Sequence, residues 1–133
     1  MDKRKPIGRT RDDLLAVFEE LPQATFCFDI GHAHQIDPTM CEATMILEKL
    51  KDRLVEVHMS EVNTESRHDP ITLEAERSFQ IVAQLIPEQV PIILESRVAK
   101  PGEQLGLEVR ERVEREIRLV ESLFRTTLQF AAD

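Results

Sequence analysis

Apolar residues recur at helical spacing in four segments of the chain. These stripes are Leu14, Val17, Phe18 and Leu21; Ala43, Ile46 and Leu50; Ala75, Phe79, Val82 and Ile86; and Val109, Val113, Ile117, Val120 and Phe124. Thr10 and Asp13 form a capping-box pattern before the first stripe, which predicts a helix over about residues 11–21. Asp37 offers an N-cap for the second helix, with Pro38 at its first position. The last stripe predicts a long helix that closes the chain.

Three short apolar runs separate these helices. They are "ATFCFDI" (24–30), "RLVEVHMSE" (53–61) and "VPIILES" (90–96). The first is apolar and aromatic, as is typical of a strand buried on both faces. A helix followed by three strand–helix units, with no linker or low-complexity segment, predicts a parallel sheet with right-handed crossovers. We therefore expect one α/β domain over residues 1–133, with three parallel strands and about four helices.

The composition of the chain bears on which partners it can bind and in which cellular compartment it works. The chain has 25 acidic and 17 basic residues and a formal charge of −8, which disfavours binding to a phosphate backbone. Cys27 and Cys41 lie in a strand-like run and a helical segment, and we interpret them as reduced, partly buried thiols. No apolar run approaches membrane-spanning length, and the first residues contain no hydrophobic leader segment. These features predict a cytoplasmic protein.

Three potential metal ligands stand at the ends of the predicted strands. Side chains alternate between the faces of a strand, so Asp29, His58 and Glu95 occupy the same phase in three successive strand–helix units. The carboxyl ends of parallel strands meet at one edge of a sheet, which is where α/β proteins place their sites. Singly, each residue is more often a helix cap, a turn former or a solvated group. Together they predict a site for manganese, magnesium or zinc.

Other polar residues lie near this predicted edge. His32, beyond the turn expected at Gly31, can approach the site from its loop, or can be a turn histidine bonded to backbone. Arg67 and His68 follow the second strand, where they can hold a phosphate or a hydroxyl-rich ligand, although a charged loop is usually just solvated. Cys27 precedes the strand end by two residues, and we interpret it as part of the core.

Four motifs in order resemble the last three strands of the xylose-isomerase-like TIM barrels. They are "FDIGHA" with Asp29 and His32, "VEVHMSE" with His58, "SRHDPI" with Arg67 and His68, and "VPIILES" with Glu95. The resemblance spans about residues 10–125. That family includes sugar and sugar-phosphate isomerases and epimerases, and apurinic endonucleases of the endonuclease IV type. The resemblance therefore implies a partial TIM barrel that contains strands six to eight of a (β/α)8 fold.

The resemblance also implies roles for individual residues. Asp29, His58 and Glu95 are then ligands of a divalent metal, and Glu95 doubles as the acid and base. His32 orients the substrate, and the loop residues Arg67 and His68 bind it. The implied reaction is proton transfer next to the carbonyl of a sugar or sugar phosphate, with the metal polarising the oxygen.

Departures from the family pattern leave alternatives open. The family uses a strand-five glutamate at the metal, and its nuclease branch has N-terminal histidines and an aspartate where this chain has Ser66. The chain can thus be part of an isomerase or epimerase, an apurinic endonuclease fragment, or a non-catalytic truncated half-barrel. We expect it to self-associate or to need a partner that supplies the missing strands, since an open sheet leaves its edges bare. Without them we expect no appreciable isomerase or epimerase turnover.

Overall fold

This computed structural model describes residues 8–130, with side chains described through residue 124. They contain five α-helices, five short strands and one 3-10 helix, Lys51–Arg53. The helices are Arg11–Glu20 (α1), Ile30–Ile36 (α2), Cys41–Leu50 (α3), Leu73–Ala83 (α4) and Leu107–Phe130 (α5). The strands are Phe26–Asp29 (β1), Leu54–Met59 (β2), Glu61–Val62 (β3), His68–Asp69 (β4) and Ile92–Leu94 (β5). No helix in this part of the chain is both long enough and apolar enough to cross a bilayer.

The strands β1, β2 and β5 form a parallel sheet with β2 in the centre. Asp29 lies opposite His58, and His58 lies opposite Ile93. The predicted α/β class and the three parallel strands are confirmed, whereas the barrel origin of the sheet stays a prediction. The segment expected to be a plain polar loop instead contains the antiparallel β3–β4 hairpin.

The core lies on one side of the sheet. Its buried residues come from β1 and β2 (Phe28, Leu54, Val57, Met59), from α1, α2 and α3 (Phe18, Ile30, Ala33, Ala43, Ile46, Leu47, Leu50), from α4 and α5 (Ala75, Phe79, Val82, Ala83, Val120, Leu123), and from connecting segments (Met40, Ile86, Val90). On the opposite face Cys27 and Ile93 are exposed. The predictions that the first strand is buried on both faces and that Cys27 packs in the core are therefore wrong. Cys41 is exposed as well.

The first helix begins as its sequence predicts. The Thr10 side chain accepts a hydrogen bond from the Asp13 N–H, and the Asp13 carboxylate accepts from the Thr10 N–H. This reciprocal pair satisfies two N–H groups that the first turn leaves without helical partners. Of the predicted apolar stripe only Phe18 is buried, while Val17 and Leu21 are exposed.

The second predicted helix begins later than expected. Residues 30–36 form the short helix α2, so Asp37 is its C-cap and the residue before α3 is Met40, with a φ of 58°. The Asp37 carboxylate still serves α3, since it accepts hydrogen bonds from the N–H groups of Thr39 and Glu42. The Glu42 N–H, followed by the Thr39 hydroxyl, lowers the pKa of Asp37. Asp37 therefore caps α3 from a position before its first turn, because α2 extends to residue 36 and α3 begins only at Cys41.

The long helix α5 differs from its predicted stripe at one turn. Ile117 is 43% exposed, and Glu116 is buried in its place. The Glu116 Oε1 atom accepts hydrogen bonds from the Ile71 N–H at 2.8 Å and the Ser96 Oγ–H at 2.6 Å. A buried carboxylate needs such donors to offset its loss of water. Glu116 therefore ties α5 to the segments before α4 and after β5.

An apolar groove of about 660 Å³ lies between α4, β5 and α5. Ile92, Leu94, Ile117 and Phe124 are among the residues that line it. It runs beside β5, which is an edge strand of the described sheet. Self-association, or a partner at this edge, stays a prediction.

Gly31 allows two backbone segments to touch. It lies inside α2 without a positive φ, so the expected glycine turn is absent. A Cβ atom at this position would lie 2.3 Å from the carbonyl oxygen of Ser60 and 2.8 Å from a methyl carbon of Val62. No side chain larger than hydrogen fits between α2 and the start of the hairpin.

Gly31→Ala should therefore destabilise the fold by about 3 kcal/mol or more, the upper range for overpacking, because the clashing atom is backbone. Gly106→Ala is the matched control, since a Cβ there meets no atom within 4 Å, and its effect should stay within about 1 kcal/mol. Urea unfolding followed by circular dichroism measures both. Equal stability of the two variants would contradict the close approach.

The two hydrogen bonds of Glu116 lead to a second stability prediction. Glu116→Ala leaves a partly buried N–H and a hydroxyl without their acceptor, so the free energy of unfolding should fall by about 2 to 3 kcal/mol. Glu111→Ala, at an exposed position of the same helix, should change it by no more than about 0.5 kcal/mol. A loss at Glu116 no greater than at Glu111 would show that this contact does not hold α5.

Candidate metal centre

Asp29 ends β1 and caps the next helix. Its Oδ1 atom accepts a hydrogen bond from the His32 N–H at 2.9 Å, while Oδ2 lies 3.9 Å from the His32 Nε2 atom. Asp29 is thus a helix cap, as its residue type also predicts, and it uses one carboxylate oxygen for this role. The same hydrogen bond holds the Asp29 carboxylate in place at the strand end. The backbone of α2 therefore also fixes the direction of the second oxygen, Oδ2.

His58 and Glu95 meet at the carboxyl ends of β2 and β5. The Glu95 N–H donates to the Met59 carbonyl at 3.0 Å, which extends the parallel ladder past the end of β5. This bond brings Glu95 Oε1 to 3.2 Å from His58 Nδ1. On its other side His58 Nε2 lies 2.7 Å from Glu56 Oε1. The His58 ring therefore stands between two carboxylates of the open sheet face.

The β3–β4 hairpin carries His68 back to the same edge. His68 Nδ1 lies 2.8 Å from Ser60 Oγ and 3.5 Å from Glu95 Oε2. Asp29, His68 and Glu95 each offer one donor atom within 4.8 Å of the other two, and we call these residues the edge trio. Two of its members were expected as metal ligands and the third as a substrate contact. The ligand role of His58 stays a prediction, because its described contacts are with Glu95 and Glu56.

A second group of possible ligands lies on the same face of the sheet, farther from its carboxyl edge. Cys27, Glu56 and His58 also offer donor atoms within 4.8 Å of one another, and we call them the inner trio. In the pairing of β1 with β2, Cys27 lies opposite Glu56. This pair comes two residues before the pair of Asp29 and His58. Strand alternation puts these side chains on the same face as Asp29. The sequence interpretation missed the trio because it assigned Cys27 to a buried layer.

The remaining predicted substrate residues differ in position. The His32 side chain is only 12% exposed, and its ring packs edge-on against His68 with centroids 5.3 Å apart. Its Nδ1 atom is buried without a hydrogen-bond partner among the described residues. Arg67 is 62% exposed and pairs with Glu65 at 2.8 Å. The structure thus brings His32 to the edge trio and leaves Arg67 on the outer surface of the hairpin.

The electrostatics of the open face act on the Cys27 thiol. Desolvation, followed by the charges of Glu56 and Asp29, raises the pKa of Cys27 to about 11. A negatively charged thiolate beside two carboxylates is unfavourable unless a cation neutralises it.

No protein-family model, curated protein or solved structure matches the chain. The chemistry of the site therefore has to be argued from its residues and from their geometry.

The raised pKa predicts slow alkylation of Cys27 despite its exposure. In a Cys41→Ser variant at about pH 8, folded protein should react with iodoacetamide roughly 10- to 100-fold more slowly than urea-unfolded protein, because less of its thiol is ionised. The rate of the folded protein should keep rising as the pH approaches about 11, and that of the unfolded protein should level off above the ordinary value of 9.0. Equal pH profiles in the two states would refute this.

Proposed function

We propose that the protein binds a divalent cation through the edge trio and catalyses proton transfer next to the carbonyl of a sugar or sugar phosphate, as an isomerase or epimerase does. The observation that carries the proposal is the position of Glu95. Its carboxylate shares a cluster with Asp29 and His68, so three successive strand units supply one set of donors at the edge of the sheet. Parallel α/β folds place their reactive groups at this edge.

The donors of the edge trio fit a divalent cation. Two carboxylates and one imidazole suit manganese, magnesium or zinc. The trio also has supporting hydrogen bonds of the kind that orient metal ligands. The His32 N–H holds Asp29, and the Ser60 hydroxyl bonds to His68. We therefore assign the imidazole ligand to His68, with His58 orienting Glu95 through Nδ1.

Glu95 is the residue proposed to move the proton. When bound, the cation polarises the carbonyl oxygen of the substrate and so acidifies the adjacent carbon. The Glu95 side chain is 31% exposed and opens onto the polar face of the sheet, so a substrate can reach it. The contact of His58 Nδ1 with Oε1 at 3.2 Å holds the carboxylate in place, and Glu95 then takes the proton from that carbon. His32, beside Asp29 and His68, is positioned to orient a substrate hydroxyl.

One carboxylate base works from one face of the substrate. We assign proton transfer to Glu95 alone and the role of a ligand to Asp29. Glu95 alone can remove a proton and return one on the same face of the substrate, but epimerisation needs delivery of a proton to the opposite face. We therefore expect solvent hydrogen exchange by this chain and no appreciable net epimerisation.

The nuclease alternative has weaker support. Ser66, at the position where the nuclease branch has an aspartate, has a φ of 59° and carries no carboxylate. A formal charge of −8 also opposes approach to a phosphate backbone. A non-catalytic role is the alternative that the experiment below separates from the proposal.

The test is deuterium exchange into the substrate. The chain is incubated in deuterium oxide with manganese, magnesium or zinc and a panel of ketoses and ketose phosphates, and exchange next to the carbonyl is followed by NMR. We expect metal-dependent exchange that falls roughly 10²- to 10⁴-fold in Glu95→Gln. Asp29→Asn should raise the metal concentration required.

Glu111→Gln is the matched control, since this exposed residue lies on α5 away from the strand ends, and its exchange rate should equal that of the unaltered chain. Absence of exchange with every metal and substrate, in a chain that still binds metal through Asp29, would favour the non-catalytic alternative. Exchange that persists in Glu95→Gln would remove Glu95 from its proposed role.

A further inference from the structure

We infer that the inner trio of Cys27, Glu56 and His58 is a second cation site, distinct from the edge trio, and that it takes zinc or a similar thiophilic divalent ion. The three residues offer a sulfur, an oxygen and a nitrogen donor within 4.8 Å of one another. This inference does not depend on the proposed isomerase or epimerase activity.

The pairing of β1 with β2 fixes the relative positions of the three residues of the inner trio. Cys27 and Glu56 face each other across the parallel pairing of β1 and β2, and His58 follows Glu56 by one full alternation on the same face. Ligands on adjacent hydrogen-bonded strands are held more rigidly than ligands on loops. Bringing a cation to them therefore requires only side-chain adjustment.

The contacts of His58 also fit a cation. Its Nε2 atom is hydrogen-bonded to Glu56 Oε1 at 2.7 Å, and its Nδ1 atom lies 3.2 Å from Glu95 Oε1. A neutral imidazole carries one N–H, and the Glu56 carboxylate accepts it from Nε2. A cation that Nε2 and Glu56 both ligate takes the place of this proton, and the ring proton on Nδ1 then faces Glu95. A histidine ligand whose other nitrogen donates to a carboxylate is a common arrangement at zinc.

The donor chemistry separates the two trios. A thiolate sulfur selects zinc, cobalt and other borderline or soft ions over magnesium and manganese, whereas the edge trio has no sulfur. On binding, the thiol loses its proton to solvent and the thiolate ligates the ion. Because Cys27 is exposed and Glu56 and His58 are half-buried, a fourth position is open to water or a further ligand.

Cobalt titration of the full chain tests the inner site, because a thiolate-to-cobalt charge-transfer band in the near ultraviolet requires a cysteine ligand. We expect the band in the unaltered chain, in Cys41→Ser and in Asp29→Asn, and its loss in Cys27→Ser. Cys27→Ser should also bind one equivalent less zinc in equilibrium dialysis. Circular dichroism checks that each variant is folded, which is expected because Cys27 and Cys41 are both exposed.

A second measurement uses the native cysteine. In Cys41→Ser, zinc should protect Cys27 from alkylation and magnesium should not, and Glu56→Gln should weaken the protection. A cobalt band that persists in Cys27→Ser, or zinc that leaves Cys27 alkylation unchanged, overturns the inner site. Either result leaves the edge trio untouched, since the edge trio is tested through Asp29→Asn and deuterium exchange.

Discussion

The parallel register of β1 and β2 is the constraint on which the rest of the site depends. Ladder pairing sets Cys27 opposite Glu56 and Asp29 opposite His58, so a displacement of either strand by a single residue would turn the polar groups of that strand toward the helices. Phe28 and Val57, paired in the same ladder, are buried at 3% and 0% exposure. The apolar residues that hold the register against slippage therefore also fix which polar residues reach the open face.

The one-sided core explains why that face is available for chemistry. The four longer helices, α1, α3, α4 and α5, all contribute to a single buried cluster against one face of the sheet, and the other face keeps carboxylates, imidazoles and a thiol in contact with solvent. The short helix α2 crosses the carboxyl end of the sheet, where the missing side chain of Gly31 lets its backbone approach Ser60. That approach brings His32 over Asp29 and beside His68. Packing at a glycine thus positions the polar groups of the edge trio.

His58 links the two trios through its contacts with Glu95 and Glu56. In the two proposed sites, His58 contacts Glu95 of the edge trio with one nitrogen and ligates the cation of the inner trio with the other. The sulfur of the inner trio favours thiophilic ions over magnesium and manganese, whereas the edge trio contains no sulfur. The alternation of side chains along a strand places Cys27 and Asp29 on the same face at successive positions, so each belongs to a different trio.

The sequence alone determined the periodic features: the start of α1 at Thr10, the three parallel strands, and the common face of Asp29, His58 and Glu95. Each follows from helical or strand periodicity, which local residues specify. Tertiary structure decided which faces are buried and which distant residues meet, because periodicity carries no information on either. The hairpin that returns His68 to Glu95, the burial of Glu116 instead of Ile117, and the exposure of Cys27 all depend on contacts between segments distant in the chain. Local spacing sets which face a side chain occupies, but only the packing of the other elements decides whether that face is covered and which groups meet there.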